Sequence, residues 1–377
     1  MSYMLSGEFT KEEDPYYPLE NVLQRRGQSF RNIGITFNGA KLQLDLLYRQ
    51  GKYDNGFCHY PTPVAQIGGE WTNYRCNFTC NALPDKIGSG MQTEETLFHE
   101  GGHAADRARA TMQDVCLNTE YPPSSTAWAE TQSMFLDTMN SSIEWKMRYA
   151  KSLDGRTYPR ELYERRARAL RVIAPKWMFA IAHIVDFEKH IYAAEELTRD
   201  SIIKLAEEMS QKYHDYEEPL ISSLTTPHIY SWSSACSYHG YGLATLALTQ
   251  RREYFYEKYG YIVDNPAVGE ALKKARAAGA SKSFEEHVLE ATGQPLFPDA
   301  YIKEVTMPVD ELLERSKKRL ERMASVPHDN SPVDLDADIA MVHGTETIST
   351  NELNFEEMCN GFAQKITQIK NEQKASS

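Results

Sequence analysis

The chain has 377 residues, 41% of them hydrophobic and 25% charged, which is ordinary for a globular protein and long enough to bury a large core. A net charge of −12 and the lack of any Lys/Arg run argue against a nucleic-acid surface and favour basic peptides at long range. No stretch approaches the ~20 apolar residues that a membrane span needs, so a membrane-embedded protein is not expected.

In chain order, Met1 to Pro18 is acidic and tyrosine-rich and lacks the apolar centre of a secretory signal, which makes the cytoplasm the expected compartment. Residues 34–80 read as strands, because Tyr74, Cys76 and Phe78 alternate with Asn73, Arg75, Asn77 and Thr79 in a period of two. The cysteines, Cys58, Cys76, Cys80, Cys116, Cys236 and Cys359, show neither C-x-x-C spacing nor the density of a disulfide scaffold, so they are expected to be reduced. Asn77-Phe78-Thr79 and Asn140-Ser141-Ser142 fit glycosylation acceptors and, without a secretory signal, read as chance matches.

The next element carries chemistry. Thr93 serves as an N-cap, Glu94 and Glu95 suit the first turn of a helix, and Leu97, Phe98, Ala104, Ala105 and Ala108 continue it. Inside lies His99-Glu100-Gly101-Gly102-His103, the H-E-x-x-H pattern. Histidines at i and i+4 share one helix face, so both imidazoles can reach a single Zn²⁺ with the intervening Glu beside it. Two adjacent glycines cost a helix about 1 kcal/mol each relative to Ala, so close approach of another backbone or of a substrate is the reason to expect for Gly101 and Gly102. A catalytic zinc takes three protein ligands and keeps one open position. The third ligand is expected to be Glu130, among apolar Ala127, Met134 and Phe135 on a helix that follows Pro122-Pro123 with Ser124 to Thr126 as N-caps. Its rivals are Asp106, only three residues past His103, Asp114 and Glu120 in or near the loop, and Asp137.

Helical patterns then span about 126–150, 158–194 and 198–217, with Thr198 or Asp200 as a cap and Trp177, Phe179 and Ile181 as core. Further helices start at Asn265-Pro266 and at Ser283, where Glu286 completes a capping box and Gly293 supplies the stop. The fold class is therefore mainly α with a small antiparallel β-sheet, α+β. Residues 1–324 read as one catalytic domain, polar 325–338 as a linker, and 339–377 as an extension with an apolar run at 339–342, an amphipathic helix around 351–370 and a disordered Lys-rich end. Docking on the catalytic domain, self-association and disorder are the roles open to that extension.

These residues resemble the thimet oligopeptidase and oligoendopeptidase F family of zinc metallopeptidases. That family has H-E-F-G-H or a close variant on one helix and a Glu ligand about 25 residues later, which looks like His99, Glu100, Gly102, His103 and Glu130. Upstream, Leu44-Asp45-Leu46-Leu47-Tyr48-Arg49-Gln50-Gly51-Lys52 is similar to the family segment D-x-Y-x-R-x-G-K. Downstream, His228-Ile229-Tyr230 and Tyr238-His239-Gly240-Tyr241 resemble its substrate-binding segment, and Asn265-Pro266 with Gly269 and Gly293-Gln294-Pro295 resemble its closing helices. Residues from about 35 to 305 are covered.

The resemblance implies a zincin-like catalytic domain with one Zn²⁺, short peptides as substrates and Glu100 as general base. It further implies Tyr241, Tyr238 and His228 as donors to the tetrahedral oxyanion, with His239 as another candidate. Gly101 stands where the family usually has Phe or Leu, and Ser233, Ser234 and Ser237 replace frequent aromatics. Family members are commonly nearly twice as long, with a helical N-terminal half that has no counterpart here, so this chain reads as a naturally short relative, a processed catalytic half, or a subunit that needs a homo-oligomer or a partner chain to rebuild that wall. Three other readings stay open: a catalytic half inactive without such a partner, a non-catalytic peptide-binding or regulatory subunit, and a dipeptidyl carboxypeptidase with Arg75, Lys52 or Arg107 as carboxylate clamp.

Overall fold

The computed structural model describes residues 2–376 except 54–55, 73, 113, 120–124, 216–217 and 232–233; Asn73, Glu120, Pro122, Pro123, Ser124 and Ser233 thus lie outside the described residues. The chain runs through α1 (Ser2–Glu13), α2 (Val22–Ile33), β1 (Ala40–Leu47), β2 (Phe57–Thr62), the short ribbon β3 (Gln66–Ile67) and β4 (Glu70–Trp71), β5 (Arg75–Ala82) and α3 (Ser89–Ala108). There follow α4 (Thr126–Asn140), α5 (Ile143–Tyr149), α6 (Arg160–Leu170), α7 (Lys176–Ala193), α8 (Arg199–His214), α9 (Ile221–Thr225) and α10 (His239–Tyr259). The remaining elements are α11 (Pro266–Arg276), α12 (Phe284–Thr292), α13 (Asp299–Thr306), α14 (Val309–Met323), β6 (Ala337–His343), β7 (Glu346–Thr350) and α15 (Phe355–Ser376). The protein is mainly helical with a small sheet, and no described helix is long and apolar enough to cross a membrane.

The sheet is mixed where an antiparallel one was expected. Its order is β2-β5-β1-β6-β7; β1 pairs in parallel with β5 and β6, while β2–β5 and β6–β7 are antiparallel. Alternation along a strand sets which face is buried and carries no information on the direction of its neighbour. The alternation itself holds: Cys76, Phe78, Cys80 and Ala82 are buried along β5, and Leu42 and Leu44 along β1. Against that face packs α3, whose Phe98 meets Phe30 and Trp145 edge-on at 5.3 and 5.4 Å between ring centres.

Helix ends depart from the sequence reading where local geometry intervenes. The motif helix begins at Ser89 after a left-handed Gly88, so Thr93 is inside it and donates its hydroxyl to Ser89 O at 2.8 Å. The run at 126–150 breaks at Ser141-Ser142, where Ser142 accepts from Trp145 N and starts α5; the run at 158–194 breaks before Pro175. Ser125, Thr198, Asn265 and Ser283 all act as caps, and Gly293 closes α12 in the left-handed region. Ile181 is buried, but Trp177 and Phe179 are about half exposed and do not belong to the core.

Residues 325–338 and 339–377, set apart from 1–324 by composition, share its sheet and core. Val326, Val333 and Leu335 are buried, Phe37 N donates to Leu335 O at 2.9 Å, and β6 pairs with β1 at the centre of the sheet. From α15, Phe355, Met358, Cys359, Phe362 and Ile366 enter the same apolar cluster as Leu42 and Leu44, and the helix continues through the Lys-rich end to Ser376. Residues nearly 300 positions apart therefore complete one core. Phe362→Ala should cost about 3–5 kcal/mol, read as a lower urea midpoint with an unchanged slope.

Candidate metal centre

The centre is assembled where α3 crosses α4. Gly102 allows that crossing: a β-carbon there would lie 2.6 Å from Ser133 Cα and 2.9 Å from Gln132 O. On the other side, a β-carbon on Gly101 would meet Arg26 Nη2 at 2.7 Å and the Phe30 ring at 2.8 Å. The α4 backbone at Gly102 and the Arg26 and Phe30 side chains at Gly101 account for the glycine pair. Arg251 of α10 fixes α4 from behind, donating to Gln132 Oε1 at 3.0 Å and to Thr131 O at 2.6 Å.

This crossing brings Glu130 between the two motif histidines. Glu130 Oε2 lies 3.4 Å from His99 Nε2 and 3.6 Å from His103 Nε2, and the three donor atoms lie within 4.8 Å of one another. Ser133 Oγ donates to Glu130 Oε2 at 3.0 Å, orienting the carboxylate. Burial alone would raise the Glu130 carboxyl, yet the His103 and His99 imidazoles hold it well below the usual carboxylate range. Burial likewise opposes charge on His99, but Asp137 and then Glu130 push its imidazole well above its ordinary value. Two imidazole nitrogens, which would give up their protons to a bound metal, and one carboxylate oxygen converge on one small volume, a donor set that suits a zinc ion.

Of the four rivals, Asp137 has a different place. It lies 2.9 Å from His99 Nδ1, so with that nitrogen protonated toward Asp137, Nε2 is left to face Glu130. Asp106 is buried beside Arg107, and Asp114 caps the turn at Cys116. Sequence reasoning missed the orienting role of Asp137, although its position seven residues after Glu130, two turns along one helix face, was the available signal.

Glu100 is buried between the histidines, and burial raises its carboxyl, with His99 and His103 acting in the opposite direction. It lines, with His99, Thr96, Gly56 and Asp137, a cleft of about 490 Å³. Beside Glu130, His228, Tyr238 and Tyr241 form a cluster with ring centres 5.1 to 5.7 Å apart, and Tyr241 Oη lies 3.2 Å from His228 Nε2. Burial raises both tyrosines, the Glu130 charge adding to it, and burial lowers His228; both phenols stay protonated donors at neutral pH. His239 is exposed at the start of α10, and Ser234 and Ser237 lie in the turn before it. Lys52 is tied to Asp45 O at 2.6 Å, Arg107 to Asp106, and Arg75 is exposed on β5, so none of the three sits in the cleft as a carboxylate clamp.

Removing the acceptor behind a ligating histidine costs roughly 10–100-fold in metal affinity. Asp137→Asn should therefore bind zinc that much more weakly in competition with a chromophoric chelator, with the melting temperature of the metal-free protein little changed.

Solved peptidase structures share this fold. An M32 carboxypeptidase from Deinococcus radiodurans R1 superposes with a TM-score of 0.53 at 15% identity, over 83% of this chain and 67% of that one. An oligoendopeptidase F matches with a TM-score of 0.52 at 18% identity over 82% of this chain and 49% of that one; for PZ peptidase A the values are 0.53, 17%, 83% and 50%. The chain thus spans about half the length of these last two. No curated protein sequence matches it. The sequence profile of peptidase family M3 matches residues 36–307, a stretch that holds α3, α4 and the His228–Tyr241 cluster, and the chain belongs to that family of metallopeptidases.

Proposed function

We propose that the protein is a zinc-dependent oligopeptidase that hydrolyses peptide bonds in short peptides, with His99, His103 and Glu130 as metal ligands and Glu100 as general base. The observation that carries this reading is the convergence of three ligand atoms within 4.8 Å beside a buried glutamate on the same helix. A zinc ion held there supplies Lewis acidity, which polarises a carbonyl and makes water acidic near neutral pH. The protein's own groups do the rest. Glu100, raised by burial, accepts a proton from the attacking water and returns it to the leaving amine. Tyr241, kept protonated, and Tyr238 donate to the oxyanion that forms at the scissile carbon, and His228 orients the Tyr241 hydroxyl through their 3.2 Å contact. Asp137 holds the His99 ring in the tautomer that ligation needs.

The cleft beside Glu100, at about 490 Å³, suits a few residues of an extended chain and favours short peptides over folded proteins. Cysteines placed without disulfide density support a reducing compartment such as the cytoplasm. A homo-oligomer or a partner chain beside the cleft is part of the same proposal.

The test is an internally quenched peptide of about ten residues in zinc-supplemented buffer. General-base removal is worth roughly 10²–10⁴-fold, so Glu100→Gln should lose that much activity while retaining one zinc. Product masses from the same peptide separate internal cleavage, which this reading expects, from release of C-terminal dipeptides. Wild-type protein with stoichiometric zinc and no cleavage would instead make it a peptide-binding subunit or a half-enzyme.

A further inference from the structure

Away from the metal ligands, Cys58 of β2 and Cys76 of β5 place their sulfurs 3.0 Å apart. Cys58 is half-buried and Cys76 is 1% exposed. In the ladder Cys58 stands opposite Phe78, so Cys76 is its diagonal neighbour on the same face, next to the irregular pairing between His59 and Thr62. Closing the remaining gap of about 1 Å would reach the bonded sulfur separation of about 2.05 Å.

A buried cation accompanies this pair. Arg26 is 1% exposed, its Nε and Nη2 lack a hydrogen-bond partner, and the rings of Phe30, Phe37 and Phe78 cover it at 4.6, 5.5 and 5.4 Å. Burial lowers this guanidinium to about 10, opposed by Cys76, Glu94, Cys58 and Cys359. Glu94 is already paired with Arg25 at 2.6 Å, and Cys359 is buried on α15 with its thiol pushed up. The thiolate is the nucleophile in exchange with disulfides.

We propose that Cys58 and Cys76 form a redox-active dithiol beside the Arg26 guanidinium, converted to an intrachain cross-strand disulfide by a small disulfide oxidant such as oxidised glutathione. The Cys58 thiolate, the more accessible, attacks one sulfur of the oxidant; that S–S bond breaks and one glutathione leaves as a thiolate that takes up a proton. Cys76, its proton passing to solvent, attacks Cys58 Sγ, and the second glutathione leaves and is protonated in turn. Two protein thiols lose two electrons and one glutathione disulfide becomes two thiols. The pair lies near the cleft, because Gly56, two residues before Cys58, lines it with Glu100.

The test reads covalent linkage and does not depend on peptidase activity. The full chain, with exposed Cys116 and Cys236 changed to Ser, is folded, treated with oxidised glutathione, alkylated and digested with trypsin. The expected product joins peptide 53–75 to peptide 76–86, two hydrogens lighter than their sum, and is cleaved by dithiothreitol. Because peptide 76–86 also holds Cys80, the link should persist in Cys80→Ala and vanish in Cys76→Ala, each shown folded by circular dichroism. A stable glutathione adduct on Cys58 with Cys76 alkylated, or both thiols alkylated after oxidant, would overturn the proposal.

Discussion

At Gly102 the backbone of α3 passes so close to α4 that a β-carbon would reach Ser133 Cα at 2.6 Å. Everything at the centre follows from this approach. It sets Glu130 within 3.6 Å of both motif histidines and puts Asp137 against the far nitrogen of His99. A helix with alanine at that position would stand off, and the carboxylate would miss the imidazoles. The helical propensity lost at two glycines, about 1 kcal/mol each, is the cost of that geometry.

Buried charges hold the helices in this register. Arg251 donates to Gln132 and to the Thr131 carbonyl, Arg25 pairs with Glu94 on α3, and Lys146 pairs with Glu13. Such pairs add little net stability, but breaking one leaves an uncompensated charge in the core, so they penalise any shift of α3, α4 or α10 from its place. Arg26 stands apart because its company is aromatic rings and thiols rather than a carboxylate of its own.

The motif was legible because its spacing is local: four residues between histidines fix a shared helix face whatever the rest of the chain does. Caps at Ser125, Thr198, Asn265 and Ser283 were legible for the same reason. Glu130 was placed on a buried helix face from its apolar neighbours, while the contact of Asp137 with His99 was not legible, since sequence shows which helix face a residue takes and not what it meets there. Strand direction was hidden, because β6 joins β1 after nearly 300 intervening residues and alternation is blind to pairing. Trp177 and Phe179 were assigned to the core on hydrophobicity alone, yet both are about half exposed on α7, and nothing in their spacing said so.

X-ray absorption at the zinc edge on the zinc-loaded protein tests the central claim most directly. Zinc held by two imidazoles and a carboxylate predicts a first shell of nitrogen and oxygen only, at about 2.0–2.2 Å, with imidazole outer-shell scattering that diminishes in His103→Ala. Sulfur scattering at about 2.3 Å, or substoichiometric zinc in the folded wild-type chain, would contradict it.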